Sequence, residues 1–316
     1  MLYSSCWPSR SKTCNGSFTH GSRTGGALVT LIVGAHMSTQ GGVWKGVERA
    51  KEVGCDCVQV FTKNNNQWNA KDLQSTDIAQ FQQQLEQTGI VKPIAHASYL
   101  INLAAPNEEL WKKSIAAMID ELRRAELLHL DAVVVHPGSF TTSTQAEGLQ
   151  RIITAVQEIL RATAGFKVKL LLENTAGQGT NLGADLSDLG TILAAVNQRE
   201  RIGVCIDSCH AMAAGYDLAD PTGLKKLLHD IGEQFGLDRV AAIHLNDSKK
   251  GCGSRVDRHE HIGCGTIGRE GFKRWLKNKS LRAIPTYLET PKGIDEKTGE
   301  DLDVINLRVV RELAKA

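Results

Sequence analysis

The residues of this chain best suited to chemistry stand at the ends of short apolar runs. Five of the ten histidines end such a run or follow it directly, namely His36, His96, His136, His210 and His244. Carboxylates occupy the matching place in other runs, at Glu173, Asp207 and Glu289. Imidazole nitrogen and carboxylate oxygen without thiolate are ligands typical of zinc, with manganese and iron as alternatives. The spacing therefore predicts a metal centre rather than isolated hydrogen-bonding side chains.

Further candidate ligands lie in the loop RVDRHEHIG, residues 255–263, which glycines bracket. Asp257 and His259 are spaced two apart, so both side chains would lie on one side of an extended segment and reach one ion. Arg255 and Arg258 are assigned to phosphate or structural contacts. The loop is thus predicted to supply two ligands and two cations.

Ligands in this number are enough for three metal ions, because a catalytic zinc needs three protein ligands and an open position. A carboxylate such as Glu173 can bridge two ions, since each oxygen can bind one. Two-metal sites with ions about 3.5–4 Å apart catalyse in-line displacement at phosphorus and lower the pKa of the attacking water. The predicted chemistry is hydrolysis of a phosphate ester, with no side-chain base required.

One repeating unit positions these residues: a short apolar run followed by a longer segment of helical period. Continuous Val, Ile and Leu runs suit strands that are buried on both faces of a parallel sheet. The eight runs are 31–36, 57–62, 92–97, 132–138, 169–175, 202–208, 241–247 and 285–290. Helices are predicted at 43–53, 77–87, 108–128, 145–162, 218–235 and 304–314. The pattern predicts a single α/β domain over 29–316, a (β/α)8 TIM barrel with its active site at the C-terminal ends of the strands.

The first 28 residues differ in composition from the rest of the chain. They are rich in Ser, Gly and Thr, and no acidic residue occurs before Glu48. They lack the apolar core of a secretory signal, so we expect a disordered extension, with an organelle transit peptide as the alternative. The sequence contains no run of about 18 apolar residues, so no membrane span is predicted. The net charge of +2 excludes a polycation, so any nucleic-acid binding must come from a local patch.

Such a patch is predicted at the rim that carries the ligands. The stretch FTKNNNQWNAK (61–71) is polar and cationic, and HASYLINLA (96–104) places Tyr99 and Leu100 directly after a candidate ligand. Exposed aromatic and apolar side chains can stack on bases or wedge between them. Ordinary loop packing is the alternative for both residues.

These motifs, in this order, resemble the endonuclease IV family of DNA-repair enzymes. They are FTKN with QW, HASYLINLA, HPGS, LLENTAGQGTNLG, GVCIDSCHAMAAGYDL, HLNDSK, SRVDRHEHIG and LETP, and they extend from about Ile32 to the end of the chain. The resemblance implies a zinc-dependent deoxyribonuclease IV, an apurinic/apyrimidinic (AP) endonuclease of base excision repair. Its expected substrate is double-stranded DNA, cleaved 5′ to abasic sites to give a 3′-hydroxyl, or repaired at blocked 3′ ends. We expect a monomer in the cytoplasm.

The resemblance also implies three zinc ions per chain, with manganese as a possible substitute. The ligand groups are His96, His136 and Glu173 for the first ion, Asp207, His244 and Glu289 for the second, and His210, Asp257 and His259 for the third. Glu173 would bridge the first two ions, and Glu173 and Glu289 would be the catalytic carboxylates. His36 and His261 fall outside these groups.

Contacts to DNA are expected from six residues, which are Asn66, Gln67, Tyr99, Leu100, Arg255 and Arg258. Asn66 stands where members of the family that insert side chains into DNA can carry an arginine, so its contribution is expected to be weaker. Asn174, Gln178 and Asn246 adjoin ligands and are expected to orient them or to contact phosphate.

Two other classes of function are compatible with parts of the pattern. A sugar isomerase of the same barrel class would use two metals, but the third ligand group and the cationic rim speak against it. A nucleic-acid-binding protein without metals would not need ligands at all nine positions. Metal content, three ions against two, separates the endonuclease from the isomerase.

Overall fold

The computed structural model describes residues 30–316 and forms a closed barrel of eight parallel strands. The barrel strands are β1 (Val33–Met37), β2 (Cys57–Val60), β3 (Val91–His96), β4 (Ala132–Val135), β5 (Lys169–Glu173), β6 (Ile202–Asp207), β7 (Val240–His244) and β10 (Thr286–Leu288). Each overlaps a predicted strand, and the predicted (β/α)8 barrel is confirmed. The remaining two strands, β8 (Asp247–Ser248) and β9 (His259–Glu260), pair antiparallel outside the barrel. The predicted extension, residues 1–28, lies outside the described residues.

Helices surround the barrel. They are α1 (Lys45–Glu52), α2 (Ser75–Thr88), α3 (Glu108–Leu127), α4 (Gln145–Ala162), α5 (Leu186–Val196), α6 (Ser208–Ala214), α7 (Pro221–Gln234), α8 (Gly268–Lys277), α9 (Lys279–Arg282) and α10 (Leu302–Lys315). All six predicted helices form. Their starts follow local chemistry: Thr144 and Glu147 make a capping box at α4, and Asp220 caps α7 ahead of Pro221. Within residues 30–316, no helix has the length and apolarity needed to cross a membrane.

Side chains fill the interior of the barrel below the rim. The inward-facing core consists of Cys57, Ile94, Ala132, Val134, Leu171, Cys205, Ala242 and Tyr287. A larger apolar core lies between the strands and the helices. Because the barrel is packed rather than hollow, the polar groups at the strand ends stand on an apolar floor that separates them from the opposite end.

Candidate metal centre

The structure brings all nine predicted ligands together at the C-terminal end of the barrel. They form three groups, in each of which the ligand atoms lie within 4.8 Å of one another: His96, His136 and Glu173; Glu173, Asp207, His244 and Glu289; and His210, Asp257 and His259. Glu173 belongs to two groups, which is the position expected of a bridging carboxylate. Asp207 also forms a group with Cys209 and His259.

The ends of the strands position most of these side chains. Four of the nine residues are the last residue of a barrel strand: His96, Glu173, Asp207 and His244. Two more, His136 and Glu289, directly follow a strand. Asp207 has a second role, because its Oδ1 accepts from the backbone N of His210 at 2.7 Å and caps α6. That bond leaves Oδ2 of Asp207 directed toward the centre and fixes where α6 presents His210.

Glu173 lies at the middle of the cluster and is fully buried. Its Oε2 is 3.2 Å from Nε2 of both His96 and His136. Its Oε1 is 2.9 Å from His244 Nδ1 and 3.2 Å from His210 Nδ1. Burial raises the pKa of the Glu173 carboxyl, but His244 and His136 outweigh it and hold that pKa well below its usual range. The carboxyl is therefore an anion surrounded by imidazoles.

The carboxylates favour positive charge on the imidazoles in the same way. Burial lowers the pKa of His210, but Asp207 and Asp257 raise it well above its ordinary value. Burial raises the pKa of the Glu289 carboxyl, but His244, His96 and His259 together lower it to about 2. These carboxylates, of which Glu173 and Asp207 are fully buried, favour positive charge nearby. Divalent cations would supply that charge without protons on the imidazole nitrogens.

The hydrogen bonds of the imidazoles fit metal binding. Three histidines donate Nδ1–H to a main-chain carbonyl, His96 to Ala97 at 2.7 Å, His210 to Asn174 at 2.9 Å and His259 to Glu289 at 3.1 Å. This tautomer leaves the Nε2 lone pair free, as metal-binding histidines require. Nε2 of His210 and of His259 are buried without a hydrogen-bond partner. An unsatisfied buried nitrogen costs about 1–3 kcal/mol. A cation bound to these two nitrogen atoms would remove that cost.

Gln59 is a functional residue that the sequence reasoning missed. Its fully buried amide accepts from His244 Nε2 at 2.8 Å and donates to Glu289 Oε1 at 2.6 Å. The first bond fixes the tautomer of His244 so that Nδ1 carries the free lone pair. Gln59 also donates to His36 Nδ1 at 2.9 Å, and burial lowers the pKa of His36 to about 3. In the sequence, the feature that could have pointed to Gln59 is its amide, which interrupts the apolar run CVQVFT.

Two of the three residues expected to orient ligands do contact them. Asn246 Nδ2 donates to Asp207 Oδ2 at 2.6 Å, and its Oδ1 accepts from the backbone N of Glu289 at 2.7 Å. Asn174 Oδ1 accepts from the backbone N of Asp207 at 2.7 Å. Gln178, by contrast, is exposed in the loop after β5.

Asp247 holds the loop that carries Asp257 and His259. Its buried carboxylate accepts from five backbone N–H groups, those of Ser248, Gly263, Gly265, Ile267 and Gly268. A Cβ on Gly265 would lie 2.4 Å from the Ser248 carbonyl oxygen, so the loop closes on Asp247 only with glycine there. The sequence reasoning assigned no role to Asp247.

The six predicted DNA contacts are open to a ligand to different degrees. Asn66, Gln67, Arg255 and Arg258 are exposed, and Leu100 is half-buried. Tyr99 is 58% exposed, and its ring centroid lies 5.4 Å from that of His96 and 6.2 Å from that of His136. An aromatic surface therefore adjoins the cluster. The sequence predicts a cationic surface at 61–71. That prediction is wrong for Lys63, whose side chain is buried and pairs with Asp120.

The fold and its site define a class of proteins. A family model described as a xylose isomerase-like TIM barrel matches residues 47–308. Sugar-converting enzymes share the architecture: a D-tagatose 3-epimerase-like protein superposes with a TM-score of 0.69 at 19% identity, over 89% of this chain and 97% of its own. Identity this low shows the common barrel and nothing about the reaction.

Nearer relatives narrow the class to one family. Two proteins named probable endonuclease 4 align over nearly their whole length. The one from Citrifermentans bemidjiense is 41% identical over 284 residues, which is 90% of this chain and 99% of its own. That from Trichlorobacter lovleyi is 43% identical over 281 residues, 89% of this chain and 99% of its own. The crystal structure of endonuclease IV from Thermus thermophilus superposes with a TM-score of 0.79 at 38% identity, covering 90% of this chain and 98% of that one. The chain belongs to the endonuclease IV family, and the predicted resemblance is confirmed.

Proposed function

We propose that this protein is a zinc-dependent AP endonuclease of base excision repair. It hydrolyses the phosphodiester 5′ to an abasic site in double-stranded DNA, leaves a 3′-hydroxyl, and also repairs blocked 3′ ends. The observation that carries the proposal is the convergence of all nine ligands into three groups at one rim. A two-metal sugar isomerase has no use for the third group, His210, Asp257 and His259.

Each of the three groups is proposed to hold one ion, with Glu173 shared between the first two. Imidazole and carboxylate donors suit zinc, and manganese is the proposed substitute. When bound, the ions supply Lewis-acid chemistry, polarising a phosphoryl oxygen and lowering the pKa of a water molecule. We further propose that the chain acts as a monomer in the cytoplasm.

The protein's own groups hold charge and orientation in this reaction. Glu173 and Glu289 stay ionised because the neighbouring imidazoles lower their pKa. Gln59 and Asn246 each bond Glu289 at a different place, its side chain and its backbone N, so the carboxylate cannot swing away. Tyr99 and the cationic loop residues are proposed to hold the DNA strand against this rigid group.

The test is a nicking assay combined with metal analysis of the same sample. A duplex with one tetrahydrofuran abasic analogue should be cut 5′ to the lesion, and a polymerase should extend the new 3′ end. An otherwise identical intact duplex is the control. We expect about three zinc ions per chain and loss of nicking after prolonged chelation. Nicking that persists in fully chelated protein would overturn the metal mechanism, and two ions with sugar isomerisation but no nicking would favour the isomerase.

A further inference from the structure

A buried ionic network joins helix α3 to the loop that follows β2. The ammonium group of Lys63 is 2.7 Å from Asp120 Oδ2 and 3.6 Å from Glu121 Oε1. The side chains of Lys63 and Glu121 are each only 1% exposed. Lys63 is therefore closed off from DNA phosphates, although it lies in a loop that is predicted to face DNA.

The Glu121 carboxylate reaches two different loops at once. Its Oε2 accepts from the hydroxyl of Thr62 at 2.8 Å, and Thr62 lies at the start of the loop after β2. Its Oε1 accepts from the backbone N of Ser98 at 3.3 Å, and Ser98 lies at the start of the loop after β3. Burial raises the pKa of Glu121, which reflects the cost of keeping this carboxylate away from water.

Further bonds connect the same two loops directly. The Ser98 hydroxyl donates to the carbonyl of Asn65 at 2.6 Å and accepts from the backbone N of Leu100 at 3.2 Å. One serine therefore joins the backbone beside Asn66 to the backbone beside Tyr99.

Helix α3 also fixes both ends of the loop after β2. Arg124 donates to the carbonyl of Thr62 at 2.6 Å and to the carbonyl of Lys71 at 2.9 Å. Within the loop, the Trp68 ring lies 4.5 Å below the ammonium group of Lys113. The loop is thus held at its start, middle and end by one helix.

An ion network of this kind is a poor source of stability. Taking charges out of water is costly, and apolar residues of similar volume are often at least as stabilising. What a hydrogen-bonded network does supply is a single geometry, since each donor fits one acceptor. Here the fixed segments are those that carry Asn66, Gln67, Tyr99 and Leu100.

We propose that Glu121 is a positioning residue for lesion recognition, which locks the loops after β2 and β3 into one surface that contacts DNA. The inference deepens the proposed function and rests on it. Glu121 itself lies inside the protein and touches no DNA. Loss of the Glu121 carboxylate should therefore raise KM for the damaged duplex, while the zinc content and kcat of the enzyme stay unchanged.

The experiment compares Glu121→Gln and Ser98→Ala with Glu108→Gln. Glu108 is on the same helix but is exposed and pairs with Arg151 at 3.0 Å, so it is the matched control. For the first two variants, binding to the abasic duplex should weaken roughly three- to tenfold, the loss of one net hydrogen bond. Binding to the intact duplex should change less, and zinc content should stay that of the wild type. Amide hydrogen exchange should accelerate in 62–71 and 98–105 together.

Different results separate this inference from the proposed function. If the wild type fails to prefer abasic DNA, the proposed function is wrong, and the exchange measurement still tests the coupling of the loops. If Glu121→Gln binds damaged DNA like the control, or if only one loop exchanges faster, Glu121 does not couple them. If Glu121→Gln does not fold, Thr62→Val takes its place, because it removes the hydroxyl that donates to Glu121 Oε2; wild-type lesion affinity and exchange in that variant would overturn the inference. Recovery of lesion affinity in Glu121→Asp would support positioning by the carboxylate.

Discussion

Replacing Gln59 with leucine tests whether a buried amide orients the ligands of the proposed second zinc. The change keeps a side chain of similar size but removes the amide, whose nitrogen donates to Glu289 and to His36 and whose oxygen accepts from His244. His244 Nε2–H then lacks its acceptor at 2.8 Å, and Glu289 Oε1 lacks its donor at 2.6 Å. The imidazole can respond by taking its proton to Nδ1, which lies 2.9 Å from Glu173 Oε1. That tautomer has no lone pair left on the ligand atom.

The expected effect on zinc binding follows from the bonds to His244 and Glu289, because these two partners are candidate ligands whereas His36 is not. Each buried group left unpaired costs about 1–3 kcal/mol, and rotation of Glu289, whose side chain is partly exposed, can relieve one of them. A net loss of about 1.4–2.8 kcal/mol corresponds to zinc binding weakened by about 10- to 100-fold. Losses of this size are typical when a residue that orients a metal ligand is removed.

Zinc release against a chromophoric chelator measures this loss directly. In Gln59→Leu, one zinc per chain should transfer at a chelator concentration about 10- to 100-fold lower than in the wild type. Gln83→Leu, the same exchange at an exposed position of α2, is the control. Gln59→Glu restores an acceptor for His244 but places a carboxylate against Glu289, so its zinc affinity should stay low. Wild-type retention of all zinc in Gln59→Leu would refute the role of the amide.

Three other substitutions test separate parts of the site. Glu289→Gln should keep binding to the abasic duplex but lower single-turnover nicking by at least about 10- to 100-fold, the loss typical of residues that only orient a ligand, and a wild-type rate would remove Glu289 from the reaction. Tyr99→Ala should weaken binding to the abasic duplex by about 1–3 kcal/mol, the value of one stacked base; an equal loss with intact duplex would leave Tyr99 a packing residue. Asp247→Asn replaces an acceptor oxygen with a donor facing backbone N–H groups, so Tm should fall and one zinc should be lost first. An unchanged Tm and zinc content would contradict the role of Asp247 in holding its loop.

The barrel and the convergence of the candidate ligands could be predicted because both follow local rules. A parallel strand buried on both faces gives a continuous apolar run, and the residue that ends it faces the catalytic rim. His96, Glu173, Asp207 and His244 each close such a run, so their convergence follows once eight runs are counted. For the loop residues Asp257 and His259, a spacing of two residues predicts side chains on the same side of an extended segment, and therefore close together.

The hydrogen-bond partners could not be predicted in the same way, because they depend on pairs that are distant in the sequence. Gln59 lies opposite His36 in the register of β1 and β2, and it meets His244 from 185 residues away. Composition places Lys63 in a cationic loop, but Asp120, 57 residues later, pairs with its ammonium group, and the lysine side chain is buried. Composition gives the charge of a loop, whereas only tertiary packing decides whether that charge faces solvent.

The site therefore depends on two kinds of support with different physical origins. Six of the nine candidate ligands stand at or directly after the ends of barrel strands, where parallel pairing and a packed interior fix the backbone. The predicted DNA contacts stand on loops, which have no ladder of hydrogen bonds and would vary in position if left alone. Glu121 and Arg124 supply that missing constraint from α3, without contact to any of the nine ligands among the bonds of the described residues. Substitutions in this network should accordingly weaken binding to the lesion and leave zinc binding unchanged. Substitution of Gln59 should weaken zinc binding and leave binding to the lesion unchanged.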